Sequence, residues 1–274
     1  MSATGAGGMT TAIAHPTADR VVVRGFDLSR DLIGTTTTAE YFYVLLTGRR
    51  PSPEQAGMLD ACIVALAEHG LVPSVQAARM TYASSPEALH GAVAAGLLGA
   101  GSVILGSSED TAVFLDSIVT RAGGGSLEQA ALDAVRERRA ARQAIPGVGH
   151  PLHRERDPRA EALLAYGERL GTNGKYVDAL TSMVAAIPDV YGRSFVLNVS
   201  GAIPAVLMDT GFPRDAMKGV PLIARTMSLV AHLVEERESP IGFGLADVAE
   251  AAVRYSGPSP DEMIYYTGSA GEGQ

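Results

Sequence analysis

Pro146-Gly147-Val148-Gly149-His150-Pro151-Leu152-His153-Arg154-Glu155-Arg156-Asp157-Pro158-Arg159 is the stretch on which the reading of this chain turns. Two glycines just ahead of a histidine let the backbone take unusual dihedrals and come close to a ligand. His150 can donate to a carbonyl or hydroxyl oxygen and titrates near neutrality. Asp157-Pro158 is a helix start, and Arg159 in the first turn behind it can offer a two-pronged fork to a carboxylate. Arg154 and Arg156 are available to phosphates. The same residues also suit a solvated basic loop around a turn-forming glycine pair, and composition alone leaves both readings open.

Outward from this stretch the pattern is helical. Ser52-Pro53-Glu54-Gln55 supplies an N-cap, a first-turn proline and a capping-box glutamine, followed by Leu59, Ile63 and Leu66 on one face and Gly70 as a stop. Ser85-Pro86-Glu87 predicts a second start, running through Leu89 and Val93 to Leu98. Ser126 with Gln129 predicts a capping box before an Arg-rich helix that stops near Ile145-Pro146. Asp157-Pro158 opens a helix to about Leu170. Val190 to Met208 and Pro213 to Glu236 read as long apolar helices, the first interrupted by Gly192, Gly201 and Pro204. Arg20 to Arg24, with three valines, is the one strand-like segment and is too little for a sheet. Gly91 to Leu98 is dense in Ala and Gly, which suits either close internal helix packing or a flat face meeting its copy in a dimer. The tail after Gly268 is low-complexity and expected to be disordered.

Composition sets outer limits. Hydrophobic residues are 46% and charged residues 19%, a globular balance, and 274 residues hold one large or two modest domains. The net charge of −8 argues against a broad nucleic-acid face but not against a local anion site made by a few arginines. The single cysteine, Cys62, lies in an apolar helical pattern and reads as an inert core thiol. Residues 1–18 show no secretion signal and no apolar run reaches the roughly 18–20 residues of a membrane span, so a cytoplasmic protein without membrane partners is expected. The six histidines show no ligand spacing, and no metal is expected.

Gly147-x-Gly149-His150 with Asp157-Pro158-Arg159 resembles the citrate synthase signature, PG-[FY]-GH-x8-R, without a gap and with Val148 in place of the aromatic residue. The full GHPLH…DPRA pattern is similar to the short citryl-CoA lyase-like branch, and the resemblance extends over roughly residues 20–255. It implies that His150 contacts the keto or hydroxyl oxygen of the substrate, that Arg154 with Gly147 and Gly149 holds coenzyme A, and that Arg159 binds a substrate carboxylate. His69, in Glu68-His69-Gly70-Leu71, and Arg225 match two further substrate-binding positions. An arginine donated by the partner subunit has no clear counterpart, Arg237 being the nearest. The implied fold is all-α and citrate synthase-like. A large dimer-forming helical domain (1–112 and 197–274) and a small CoA-binding domain (113–196) enclose the cleft.

The pattern departs from the family at two chemical positions. Ile104 stands where the family has the histidine that stabilises the enol, and an alkyl side chain offers no hydrogen bond. Ser200, in Leu197-Asn198-Val199-Ser200-Gly201, stands where the family has the carboxylate base, and an unactivated hydroxyl does not abstract a carbon-bound proton. His150 and Ser200 are then the residues left at the catalytic positions, with His153, Glu109 or a water held by Ser200 as possible contributors. Two classes of function follow from the resemblance. One is an atypical lyase or acyltransferase that makes or breaks a C–C bond on a CoA thioester with a small carboxylate. The other is a non-catalytic acyl-CoA-binding or regulatory subunit of the same fold. In both, acyl-CoA and a small carboxylate are the partners, and a homodimer is the expected assembly.

Overall fold

A computed structural model describes residues 9–101, 107–149 and 155–258 of the chain. His150, His153, Arg154, Ile104 and the tail after Gly268 lie outside the described residues.

Local chemistry sets most helix starts. Thr37 and Glu40 form a reciprocal capping box at α1 (Thr38–Thr47), and Ser52 and Gln55 form another at α2 (Pro53–Ala67), with Pro53 in its first turn. The chain continues through α3 (Pro73–Ser84), α4 (Leu89–Leu98), α5 (Ser107–Ala122) and α6 (Leu127–Ala140). Asp157 caps α7 (Pro158–Leu170), which Gly171 ends at φ 67°. Then follow α8 (Lys175–Tyr191), α9 (Val199–Asp209), α10 (Gly219–Glu238) and α11 (Gly242–Ala252).

Several boundaries differ from expectation. The N-terminal segment does make a sheet: β1 (Ala14–Pro16), β2 (Val21–Val23) and β3 (Phe26–Asp27) pair antiparallel in that order. The valines pair with β1 across a turn at residues 17–20 and with β3 across a turn at Arg24 and Gly25, both of the latter at positive φ. Ser85 does not cap a helix. It accepts from Ala88 N–H at 3.0 Å in a turn, and α4 begins after it. α6 ends at Ala140, short of Ile145, because Arg142 adopts φ 57° and Gln143 N–H turns back to Arg138 O at 2.9 Å. Ser126 accepts from Gln129 N–H, but the Gln129 side chain donates to Asp133 instead of completing the box. The apolar run from Val190 to Met208 is two helices. Gly192 ends α8 in the left-handed region, and Asn198 caps a new start. Pro213 leads only into a short 3-10 turn (Arg214–Ala216), and α10 starts at Gly219.

Three apolar clusters hold the helices. The first joins α1, α2, α7, α9 and α10 through residues such as Tyr43, Leu59, Leu163, Val199, Ile203 and Ala224. The second joins α5, α6 and α8 through Leu115, Val135, Leu180, Met183 and Ile187, and takes in Ala205 of α9. The third joins α3, α4 and α10 through Val75, Ala92 and Leu229. α9 is therefore buried from both sides, contributing to two cores. Within the Ala/Gly-rich α4, a Cβ on Gly96 would lie 2.7 Å from Leu229 and 2.8 Å from the Ser74 carbonyl, so this small residue serves internal packing. Cys62 is fully buried, and burial pushes its thiol far above the ordinary range.

Candidate functional site

Of the residues singled out from the sequence, Gly147, Gly149, Arg159 and Ser200 fall in one group, and His69 and Arg225 in another. Both border the first core cluster, to which Leu66, Val199 and Ala224 belong, the last two immediately preceding Ser200 and Arg225.

The first group surrounds the N-terminus of α9. Val148 bridges Leu197, Gly149 N–H donates to Val196 O at 2.7 Å, and Asn198 N–H donates to Gly147 O at 3.0 Å. Asn198 ties the arrangement together. Its Nδ2 donates to Gly149 O at 2.7 Å while its Oδ1 accepts from Gly201 N–H at 3.1 Å. Gly147 (φ 79°) and Gly149 (φ 82°) both need the left-handed region, and a Cβ on Gly147 would stand 2.6 Å from Gly201 Cα. Two backbones thus meet where no side chain fits. Beside this crossing lies a cavity of about 530 Å³, lined by Gly147, Val148, Gly149, Asn198, Ser107, Asp110 and Arg138. Arg138 stacks over Phe114 at 4.7 Å and donates to Ala144 O. It is a cation at the glycine loop that sequence reasoning missed, because it lies in an Arg-rich helix that reads as a solvated face. Arg156 instead pairs with Glu161 at the surface.

Asp157 and Arg159 fasten the start of α7 to the same place. Arg159 Nε and one terminal nitrogen reach the two Asp157 oxygens at 3.0 and 2.9 Å, and Val199 N–H donates to Oδ2 at 3.0 Å. The Asp157 side chain is fully buried, and that of Arg159 is 21% exposed. Burial pushes the Asp157 carboxyl up, but the Arg159 guanidinium and the two backbone N–H donors outweigh it and hold the group below its usual range. Ser200 sits partly buried in the first turn of α9, next to this anchor.

The second group joins the end of α2 to α10. Arg225 is 2% exposed, its Nε finds no acceptor, and a long 3.4 Å contact links its Nη1 to Ser228 Oγ. Burial lowers its affinity for the proton, against which the Glu68 charge acts. Glu68 accepts from the backbone N–H of His69 (2.9 Å) and of Gly70 (2.5 Å), from Ser228 Oγ (2.6 Å), and lies 3.0 Å from His232 Nε2. It therefore fixes the turn carrying His69 against the helix carrying Arg225. Behind it, Arg79 reaches His232, Glu235 and the buried Glu236. Arg237 is exposed and lines a separate cavity with Tyr82, Pro86 and Phe243. Among the described residues no cluster of His, Cys, Asp or Glu could hold a metal, and no helix is long and apolar enough to cross a membrane.

The fold is all-α, with an arginine buried beside a histidine-bearing turn and a glycine loop laid over a helix N-terminus. Residues 20–242 match the family model described as citrate synthase, C-terminal domain, and the chain belongs to the citrate synthase family. Among solved structures it is similar to citryl-CoA lyase from Hydrogenobacter thermophilus, at 32% identity and TM-score 0.83, covering 93% of this chain and 97% of that one. ATP citrate lyase from Methanothrix soehngenii, in complex with citrate and coenzyme A, shares the fold at 19% identity and TM-score 0.74, over 95% of this chain and 44% of that one. The citrate synthase of Deinococcus radiodurans is 29% identical over 205 residues, 73% of this chain and 52% of that protein. The chain thus spans about half the length of the curated relatives it matches.

Proposed function

We propose that this protein binds a coenzyme A thioester together with a small carboxylate and makes or breaks a C–C bond between them, as a citryl-CoA lyase-like enzyme with an altered catalytic set. The observation that carries the reading is Arg225, a buried guanidinium whose Nε finds no acceptor and which makes no direct ion pair among the described residues, fixed beside the His69 turn. A buried cation is costly unless an anion faces it, and a substrate carboxylate is the ligand that fits. Arg159, with His150, completes the carboxylate and oxygen contacts in this reading. The cavity at Gly147 and Gly149 takes the CoA end, with Arg138 and Arg154 as its cations. Citrate and coenzyme A are bound by the related ATP citrate lyase named above, which makes them the first ligands to try.

In the cleavage direction the bond between the thioester α-carbon and the hydroxyl-bearing carbon breaks. The hydroxyl proton leaves to a base, and the electron pair becomes an enolate that is then protonated. The hydroxyl proton falls to His150, the residue assigned to that oxygen, while the position that removes the α-proton in condensation must return a proton to the enolate carbon in cleavage. There Ser200 offers only a hydroxyl, and Ile104 offers nothing to the enolate. A water held at Ser200, His153 or Glu109 is left to assist. Residues 113–196 form the small CoA-binding domain in this reading, closing on the rest (1–112 and 197–274) of a cytoplasmic homodimer. The Ser200 hydroxyl favours a second reading, a binding subunit of the same fold that does not turn over.

A thermal-shift series with CoA, acetyl-CoA, oxaloacetate and citrate, paired with a CoA-release and citryl-CoA cleavage assay, tests both. Binding with turnover supports the enzyme, and binding without turnover supports the subunit. No protection by millimolar CoA at low salt overturns both readings.

A further inference from the structure

We propose that Glu68 is the resident counter-anion of Arg225 and sets how tightly, and for how highly charged a carboxylate, the site closes. The proposal rests on the carboxylate-binding reading above and names a specificity-determining residue within it. Glu68 touches no reacting atom and acts through Arg225 and the His69 turn.

The geometry is an unbroken polar chain. Arg225 Nη1 contacts Ser228 Oγ, Ser228 Oγ donates to Glu68 Oε2, and His232 Nε2 meets the same oxygen. The other oxygen, Oε1, takes two backbone N–H groups from the turn of His69. Arg225 is almost wholly buried, and Glu68 is the carboxylate whose charge bears on it. The Glu68 side chain is 52% exposed, whereas Arg225 is almost wholly buried. Without a ligand, Glu68 offsets a buried positive charge. Once a substrate carboxylate reaches the guanidinium, Glu68 becomes a like charge beside it. The two effects have opposite signs, and that separates a charge-setting role from simple support of the fold.

Glu68→Gln removes the charge. The amide oxygen can still accept from His69 and Gly70 N–H, and the amide nitrogen can donate to Ser228 Oγ. His232 Nδ1 faces the donor-only Arg79 guanidinium, so Nε2 carries a hydrogen and loses its acceptor at position 68. The full-length variant is expected to melt below the parent in the absence of ligand. It is also expected to bind citrate about three- to tenfold tighter at low salt, the Coulombic scale for like charges near a protein surface. The gain should shrink as salt is added and be smaller for a monocarboxylate such as acetate. Glu68→Asp, which keeps the charge but draws it back by one methylene, should fall between parent and Gln, and it serves if the Gln variant does not fold. Citrate binding that is unchanged or weaker in these variants, while the parent binds citrate, overturns the role of Glu68 and leaves the carboxylate site standing. Failure of the parent to bind citrate at all overturns both.

Discussion

Replacing Asp157 by Asn tests whether one buried carboxylate clamps α7 and α9 together at the site. In the parent this side chain is fully buried and accepts from Arg159 Nε and Nη2, from Arg159 N–H and from Val199 N–H. Asparagine keeps one acceptor oxygen and turns a nitrogen donor toward groups that are themselves donors. Removing one partner of a buried pair costs about 3–5 kcal/mol. Arg159 is 21% exposed and regains some hydration, so the expected loss is about 2–3 kcal/mol. For a chain of this length that is a fall of about 4–12 °C in melting temperature, or the matching shift in urea midpoint followed by far-UV circular dichroism. The pH dependence gives an independent check. The folded Asp157 carboxyl titrates below its unfolded value. Its contribution is therefore fully present above an unfolded pKa of about 3.9 and is lost as pH falls through the lower folded value. The gap between parent and variant should hold constant from neutrality to about pH 4 and narrow below it. A variant within about 0.5 kcal/mol of the parent at pH 7 refutes the clamp.

Gly147→Ala should cost more stability and more CoA protection than Gly149→Ala. Both need positive φ, worth about 1–2 kcal/mol to a side chain, but only at Gly147 does the new Cβ strike Gly201. Equal losses in paired thermal shifts would contradict the backbone crossing. Arg79→Met should lower stability by about 3–5 kcal/mol by stranding the buried Glu236, and denaturation midpoints within 1 kcal/mol of the parent would exclude this. Cys62 should react with a thiol reagent only after denaturant unfolds the chain. Stoichiometric labelling of the native protein would show the core is not closed as described.

The helical class was legible wherever a cap was local. Ser52-Pro53-Gln55 and Asp157-Pro158 announce α2 and α7 because the donor and acceptor lie within one turn of each other. The sheet was not, because three valines in β2 say nothing about the partners that β1 and β3 supply. The end of α6 was hidden because Arg142, a residue with no bias to positive φ, makes the stop. For the candidate site, motif spacing singled out Gly147, Gly149 and Arg159, and family resemblance added His69 and Arg225. It could not show that the Arg159 fork is taken up by Asp157, two residues away. Nor could it show that Glu68 and Ser228, 160 residues apart, meet at 2.6 Å. Those contacts depend on which helix faces which, a property of the packed chain.

What positions the site is a set of carboxylates, each accepting backbone N–H groups from a turn or helix start. Glu68 takes the His69–Gly70 turn, and Asp157 takes the first turns of α7 and α9. Asp209 takes Gly174, Tyr176 and Val177 at the head of α8, and Glu236 takes Ile241 and Gly242 at the head of α11. Helix N-termini leave unpaired N–H groups and carry partial positive charge, so a carboxylate there gains both hydrogen bonds and dipole stabilisation. All four also hold distant elements together: Glu68 joins α2 to α10, Asp157 joins α7 to α9, Asp209 joins α9 to α8, and Glu236 joins α10 to α3 through Arg79. Under the proposed function this anchoring explains how the binding residues can keep their places while Ile104 and Ser200 replace the chemically active types. Ser200 is not among these anchors, so in that reading exchanging it changes the chemistry at the head of α9 while the carboxylate contacts that hold the helix stay in place.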